Sequence, residues 1–430
     1  MKLSIKHGFV NVVTATCLTL SLSSASYANQ PSFPQELYTP SIVEEMVAEN
    51  VVTGELTEVN GLPITRPYNA DMVNTENVVS NGENVYVAIL DTGMVPQWPF
   101  FFSEAKVAVD LAKGFSHDVY WDDVLQDVVI GPLRDDRGFI TEFASGHGTH
   151  VASTVVGFNI NNSEWVQGIA PNVTIIPVLV LDAWAFDSPF GTLTFSGGTN
   201  AMIAAGIRYV ADLDLDGRVV INMSLGGASR SAEIEAAVDY ALSKDVVIVA
   251  SAGNSGTDGM GYPGGLPQLI SVGAAGWSQM LATPDRWRSD VPEKTNSNDM
   301  LGNNGQYFLA DFSSRPVKEL GQKHKDLDVT APGNHVVGPY KSAFANNLNY
   351  YFLSGTSMSA PHVSAIAAML LQQDPTLTPA EVEKKLRNAA NGNPLPADDA
   401  VYAGFGGLTP ATWDGGDYGA GFLRADYVVN

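Results

Sequence analysis

The chain has 430 residues, 45% of them hydrophobic, and a formal net charge of −23. Its length is enough for one large globular domain, or two modest ones, with a sizeable core. Acidity on this scale, with a sequence pI of about 4.5, argues against nucleic acid and anionic membranes as partners and leaves many carboxylates able to hold hard cations such as calcium.

The first 28 residues read as a secretory signal. Lys2, Lys6 and His7 form a basic start, an apolar segment diluted with Ser and Thr follows from Phe9 to Leu22, and Ala25-Ser26-Tyr27-Ala28 supplies small residues at a cleavage site. The segment is too short and too hydroxylated to span a bilayer comfortably. The protein is therefore expected outside the cell or in the periplasm, with no membrane association once the signal is removed. Cys17, the only cysteine, lies inside this segment. The exported chain would then depend on packing rather than disulfides. Residues 29–66 are mixed and punctuated by proline, with a short helix expected over Ile42 to Ala48. They read as a leader or short pro-segment, or equally as a surface arm that stays attached.

From residue 67 onward, short β-prone runs alternate with helical patterns. Val85 to Leu90 is an almost unbroken apolar run, the mark of a strand buried on both faces. Further strands are expected at 174–181, 219–225, 246–250 and 269–274. Helices are expected at 147–156, 198–211, 232–244, 363–372 and 379–390. The last opens on a capping box, Thr378 to Glu381, with Pro379 at its first position. Such alternation predicts an α/β fold of three layers, a central, mostly parallel sheet flanked by helices. Two long stretches, 95–144 and 276–309, read as inserted loops.

Four places carry chemistry. Asp91 ends the first buried strand, and functional groups of open α/β sheets gather at such carboxyl ends. His147 opens an apolar helix in Gly146-His147-Gly148-Thr149-His150. Ser357 lies in Gly355-Thr356-Ser357-Met358-Ser359, just ahead of a long apolar run, where a helix N-terminus offers unpaired N–H groups to a developing oxyanion. Asn254 follows another buried strand, and its amide can donate to the same oxyanion. A serine needs an imidazole to take its proton, and the imidazole needs a carboxylate to fix its tautomer. A lone Ser, His or Asp in such places is most often a cap or a turn residue. The combination in one chain argues otherwise.

Asp91-Thr92-Gly93, His147-Gly148-Thr149-His150-Val151-Ala152 and Gly355-Thr356-Ser357-Met358-Ser359-Ala360-Pro361 resemble the three signature blocks of the subtilisin-like serine proteases, in that family's order. The resemblance covers roughly Pro67 to the C-terminus. It implies a peptidase domain over 67–430 and a secreted serine endopeptidase working through an acyl-enzyme. In it Asp91 orients His147, His147 is general base and then general acid, Ser357 is the nucleophile, and Asn254 is an oxyanion donor. It also implies that Ser224, Leu225 and Gly226 pair with an extended substrate, and that Ala252, Gly253 and Gly261 line the primary pocket. With a glycine floor and no acid in these stretches, broad specificity with a preference for large apolar residues before the cut is expected. A structural calcium ion is implied at Ile160, Asn162, Glu164 and Val166, and a second oxygen-rich turn occurs at Asp212, Asp214 and Asp216. His150 and His362 read as packed histidines, and His117, His324 and His335 as surface or loop residues. Partners are expected to be protein or peptide substrates, acted on by a monomer. The alternatives are an inactive peptide-binding relative and an esterase of the α/β-hydrolase type. The latter is disfavoured because Ser359 stands where a G-x-S-x-G elbow needs its second glycine.

Overall fold

Val85–Asp91 is the strand around which the fold is laid down. Its side chains alternate between two apolar clusters, Val87 and Ile89 in one, Ala88 and Leu90 in the other. Successive residues of a strand face opposite ways, so an unbroken apolar run requires a covering layer on each side. On one side those layers are the helices His147–Val156, Thr356–Gln373 and Pro379–Asn391, through Val151, Val155, Val363, Ile366 and Leu386. On the other they are Asn200–Ala211 and Ala232–Leu242, through Ile203, Ile207, Ile234 and Val238. The fold is thus the expected three-layer α/β arrangement. The computed structural model describes residues 36–40, 42–50, 61–141, 143–280, 285–288, 290–291, 307–343, 347–393, 395, 399–404 and 407–429. The signal segment 1–28 lies outside them.

The main sheet runs in the order Tyr307–Leu309, Ile270–Trp277, Val247–Ser251, Arg218–Met223, Val85–Asp91, Thr174–Leu179, Lys113–Asp122, Asp127–Arg137, with Val329–Pro332 also paired to Ile270–Trp277. Only the pairings of the first and the last strand in that order are antiparallel. All the parallel strands therefore deliver their carboxyl ends to one edge of the sheet. The expected capping box forms, with the Thr378 N–H 2.9 Å from Glu381 Oε2 and the Glu381 N–H 3.4 Å from Thr378 Oγ1.

Three expectations fail. The stretch 95–144 is not a loop: it holds a helical turn, Trp98–Phe101, and a long hairpin, Lys113–Asp122 with Asp127–Arg137, that extends the main sheet. Its carboxylates are partly matched by Arg134, which bonds Asp118 and Asp136 on the surface. Ile42 to Ala48 is not helical. Glu44–Asn50 is a strand, antiparallel to Asn347–Ser354, which pairs in turn with Val336–Ser342. The stretch 276–309 is partly sheet, because Tyr307–Leu309 folds back on Ile270–Trp277. Residues 281–284, 289 and 292–306 of it lie outside the described residues. A second hairpin, Asp182–Ser188 with Gly191–Gly197, follows the strand Thr174–Leu179.

The far end of the chain returns to its beginning. The Ala425 N–H donates to the Val73 carbonyl at 2.8 Å, and Asn74 Nδ2 donates to Asp426 Oδ2 at 3.2 Å. The Leu423 N–H bonds the Thr330 carbonyl, and the Thr330 N–H bonds the Gly421 carbonyl, each at 2.9 Å.

Candidate active site

Asp91 stands at the carboxyl end of the central strand and is fully buried. The Thr92 N–H holds its Oδ1 at 2.7 Å. His147 opens the helix His147–Val156, and its Nδ1 lies 2.8 and 2.9 Å from the two Asp91 oxygens. Neighbouring groups fix that approach. The Gly148 N–H donates to Thr92 Oγ1 at 3.0 Å, and a Cβ at Gly148 would come within 2.3 Å of the Gly93 carbonyl oxygen. The residue after the histidine must therefore be glycine for the helix end to touch the Asp91-Thr92-Gly93 turn. A carboxylate accepting from Nδ1–H leaves the Nε2 lone pair as the base. Nε2 is buried and makes no hydrogen bond in the described structure.

Ser357 is the second residue of Thr356–Gln373, a helix packed against His147–Val156. Pro361 lies in this helix and has no N–H to give to the carbonyl four residues back, which is that of Ser357. Ser224 Oγ fills the gap, donating to the Ser357 carbonyl at 2.7 Å. Ser224 is held by Asn222 Nδ2 at 2.9 Å, and Ser364 Oγ bonds Asn222 Oδ1 at 2.9 Å. The Ser357 hydroxyl itself donates to the Ser224 carbonyl at 2.8 Å. Asn254 is tied to the same turn. Its Oδ1 accepts from both the N–H and the hydroxyl of Thr356, each at 2.9 Å. With Oδ1 so engaged, Nδ2 is the end of the amide left to donate. Thr356 was not singled out in the sequence, although it is the residue that orients the amide.

The three strips expected to form the substrate groove come together. Gly227 and Tyr262 exchange backbone hydrogen bonds of 2.8 and 2.9 Å, and the Gly261 N–H bonds the Ala252 carbonyl at 2.9 Å. Gly253 has φ +105, and a Cβ there would lie 3.1 Å from the Gly261 nitrogen. The groove already holds part of the chain: Thr39 and Pro40 pair antiparallel with Gly226 and Leu225. On the far side of the nucleophile, the Val43 N–H donates to the Ser354 carbonyl at 2.7 Å. Asp91, His147 and Ser357 are each 0% exposed in this arrangement.

The other histidines are mostly structural. Burial pushes His150 down to about 3, and its Nε2 bonds the Val336 carbonyl at 3.1 Å. Burial likewise lowers His362 to about 4, with Nδ1 on the Met358 carbonyl and Nε2 on Asn69. His324 is exposed, as expected. His117 and His335 are buried instead, the former bonded to the Gly131 carbonyl and to Thr199 because its strand belongs to the sheet.

In the stretch read as a calcium loop, the ion would be held by the Asn162 side chain and by backbone carbonyls. The Ile160 carbonyl accepts from the N–H and hydroxyl of Ser163 at 2.8 and 2.7 Å. Asn162 Oδ1 accepts from Asn159, while the Glu164 carboxylate, a different oxygen from its backbone carbonyl, pairs with Arg288 and Thr65. Val166 lies in a strand paired on both sides. Asp212 accepts from Tyr240 and Asp216 from Tyr86. Among the described residues, no group of three or more His, Cys, Asp or Glu side chains could hold a metal ion.

Known proteins share this arrangement. A model of the Subtilase family matches residues 82–407. The chain belongs to the subtilase family. Subtilisin DY of Bacillus licheniformis is 32% identical over 349 residues, covering 80% of this chain and 96% of that protein. M-protease of Shouchella clausii (strain KSM-K16) is 31% identical over 59% of this chain, which spans 51% of that protein's length. The solved structure of the S41 psychrophilic protease superposes with a TM-score of 0.57 at 27% identity, covering 85% of this chain and 99% of that one. The subtilase is a serine endopeptidase, and its substrates are proteins or peptides. No helix among its described residues is long and apolar enough to cross a membrane.

Proposed function

We propose that this subtilase is exported and cuts extended polypeptides through Asp91, His147 and Ser357, with Asn254 as oxyanion donor. The observation that carries the reading is the bidentate approach of Asp91 to His147 Nδ1, which leaves Nε2 as an acceptor next to a helix that opens on Thr356-Ser357. Catalysis begins when the Ser357 hydroxyl rotates off the Ser224 carbonyl toward Nε2. Ser357 Oγ attacks the scissile carbonyl carbon while Nε2 takes its proton, and Asp91 stabilises the resulting imidazolium. The oxyanion is met by Asn254 Nδ2 and the Ser357 N–H. Nε2 then gives its proton to the leaving amine as the C–N bond breaks, and water, deprotonated by the same nitrogen, releases the acyl group.

The groove between Leu225–Gly226, Ala252–Gly253 and Gly261 favours large apolar residues before the cut with broad tolerance. Residues 1–28 are read as a removed signal, 29–66 as a leader and 67–430 as the peptidase, acting as a monomer. A structural calcium ion, held by the Asn162 side chain and the carbonyls of Ile160, Glu164 and Val166, belongs to this reading as support for the loop and takes no part in the chemical step.

The test is Ser357→Ala. Turnover of unfolded casein should fall by about a million-fold, the loss known for the equivalent side chain in subtilisin, and labelling by a fluorophosphonate should vanish. Persistent labelling would show that the nucleophile is another residue.

A further inference from the structure

Residues 36–40 and 42–50 pair with strands on the two sides of Ser357, as a substrate strand would. Before the nucleophile, Tyr38 exchanges both backbone hydrogen bonds with Gly198 at 2.8 Å, and Thr39 and Pro40 pair with Gly226 and Leu225. After it, Val43 bonds Ser354, three residues ahead of Ser357, and Glu44–Asn50 pairs with Asn349–Ser354 with one register shift. Pro40 and Val43 therefore flank the serine. Backbone pairing of this kind selects for an extended chain and hardly for its sequence.

One side chain on the far side is read individually. Glu45 accepts from Ser342 Oγ at 2.7 Å, with the Tyr340 hydroxyl near the same carboxylate. Tyr340 is 2% exposed, and Ser145 lies on its other side. Burial pushes its hydroxyl well above the ordinary range for a phenol, so it stays a neutral donor. A buried donor left without its acceptor is costly, and bonds to a charged partner are the stronger kind.

We propose that the Asn347–Ser354 edge, with the Tyr340 and Ser342 hydroxyls, is a substrate subsite on the far side of the cut. It takes the segment after the cut as an added strand and selects a carboxylate side chain two residues beyond the one bonded to Ser354. Residues 43–50 are its resident occupant. The inference rests on the proteolytic reading above.

The test uses the full chain and its Glu45→Gln variant, which loosens the resident segment. Quenched peptides of one sequence carry either Glu or Gln, moved one step at a time through the residues after the cut. The Glu peptide should exceed its Gln twin at a single position, by about ten-fold in kcat/KM, the scale of one charge-assisted hydrogen bond. In Ser342→Ala and Tyr340→Phe that Glu-to-Gln ratio should fall toward one. A merely structural role for the two hydroxyls would lower both twins alike and keep the ratio. A flat scan in enzyme that still takes the fluorophosphonate label overturns the subsite and leaves the protease. Enzyme that neither labels nor cleaves overturns the proteolytic reading and the subsite with it.

Discussion

Two buried carboxylates stand at opposite ends of the same sheet. Asp91 ends its strand at the carboxyl edge, while Asp328 precedes Val329–Pro332 at the other edge. Each accepts a backbone N–H, from Thr92 at 2.7 Å and from Ser271 at 2.8 Å, and each has a basic side-chain partner, His147 or Arg387. They differ in what the partner does. Arg387 is a fixed cation that caps a buried acid, and burial, reinforced by Glu383, still pushes Asp328 up to about 7. His147 is a partner whose charge can change, with its second nitrogen left unbonded. A buried carboxylate alone therefore marks no active site. A titratable partner with an unused end does.

The comparison can be broken at three points. Asp91→Asn should cost about ten-thousand-fold in kcat, because an amide stabilises the wrong imidazole tautomer, with much less effect on stability. Steady-state kinetics beside a urea melt would check both. Asn254→Ala should lower kcat by about a hundred- to a thousand-fold with little change in KM. A KM effect alone would place the amide in ground-state binding. Asp328→Asn should leave catalysis intact and alter only the pH dependence of stability. Raised above its ordinary value of 3.8, the carboxyl binds its proton more tightly in the folded chain. Its contribution is fully present below that value and is lost as pH rises toward about 7. The variant should lack that decline in urea midpoints measured from pH 4 to 7. Parallel curves for both proteins would contradict the assignment.

Most of the sheet was legible because the signal is local. Val85 to Leu90 can be buried on both faces only in a layered fold, and the triad residues fall where strands end and helices begin. The segment 42–48 was misread because Glu44, Glu45, Met46 and Ala48 favour a helix in isolation. The exposed edge of Asn347–Ser354 overrides that preference by offering backbone partners. The hairpin 113–137 did carry a period of two, in Phe115, His117, Val119 and Trp121, hidden among aspartates. Thr356 could not have been assigned its role, since only its position against Asn254 reveals it. The calcium ligands were drawn from resemblance alone, since apart from Asn162 they are backbone carbonyls, which leave no side-chain signature in a sequence.

The stitching of Ala425 to Val73 and of Leu423 to Thr330 has a consequence for biosynthesis. A chain still threading through the ribosome or an export channel lacks residues 421–429 and cannot close these contacts. Full rigidity must wait until residues 421–429 have emerged, because pairings between such distant residues form late and slowly.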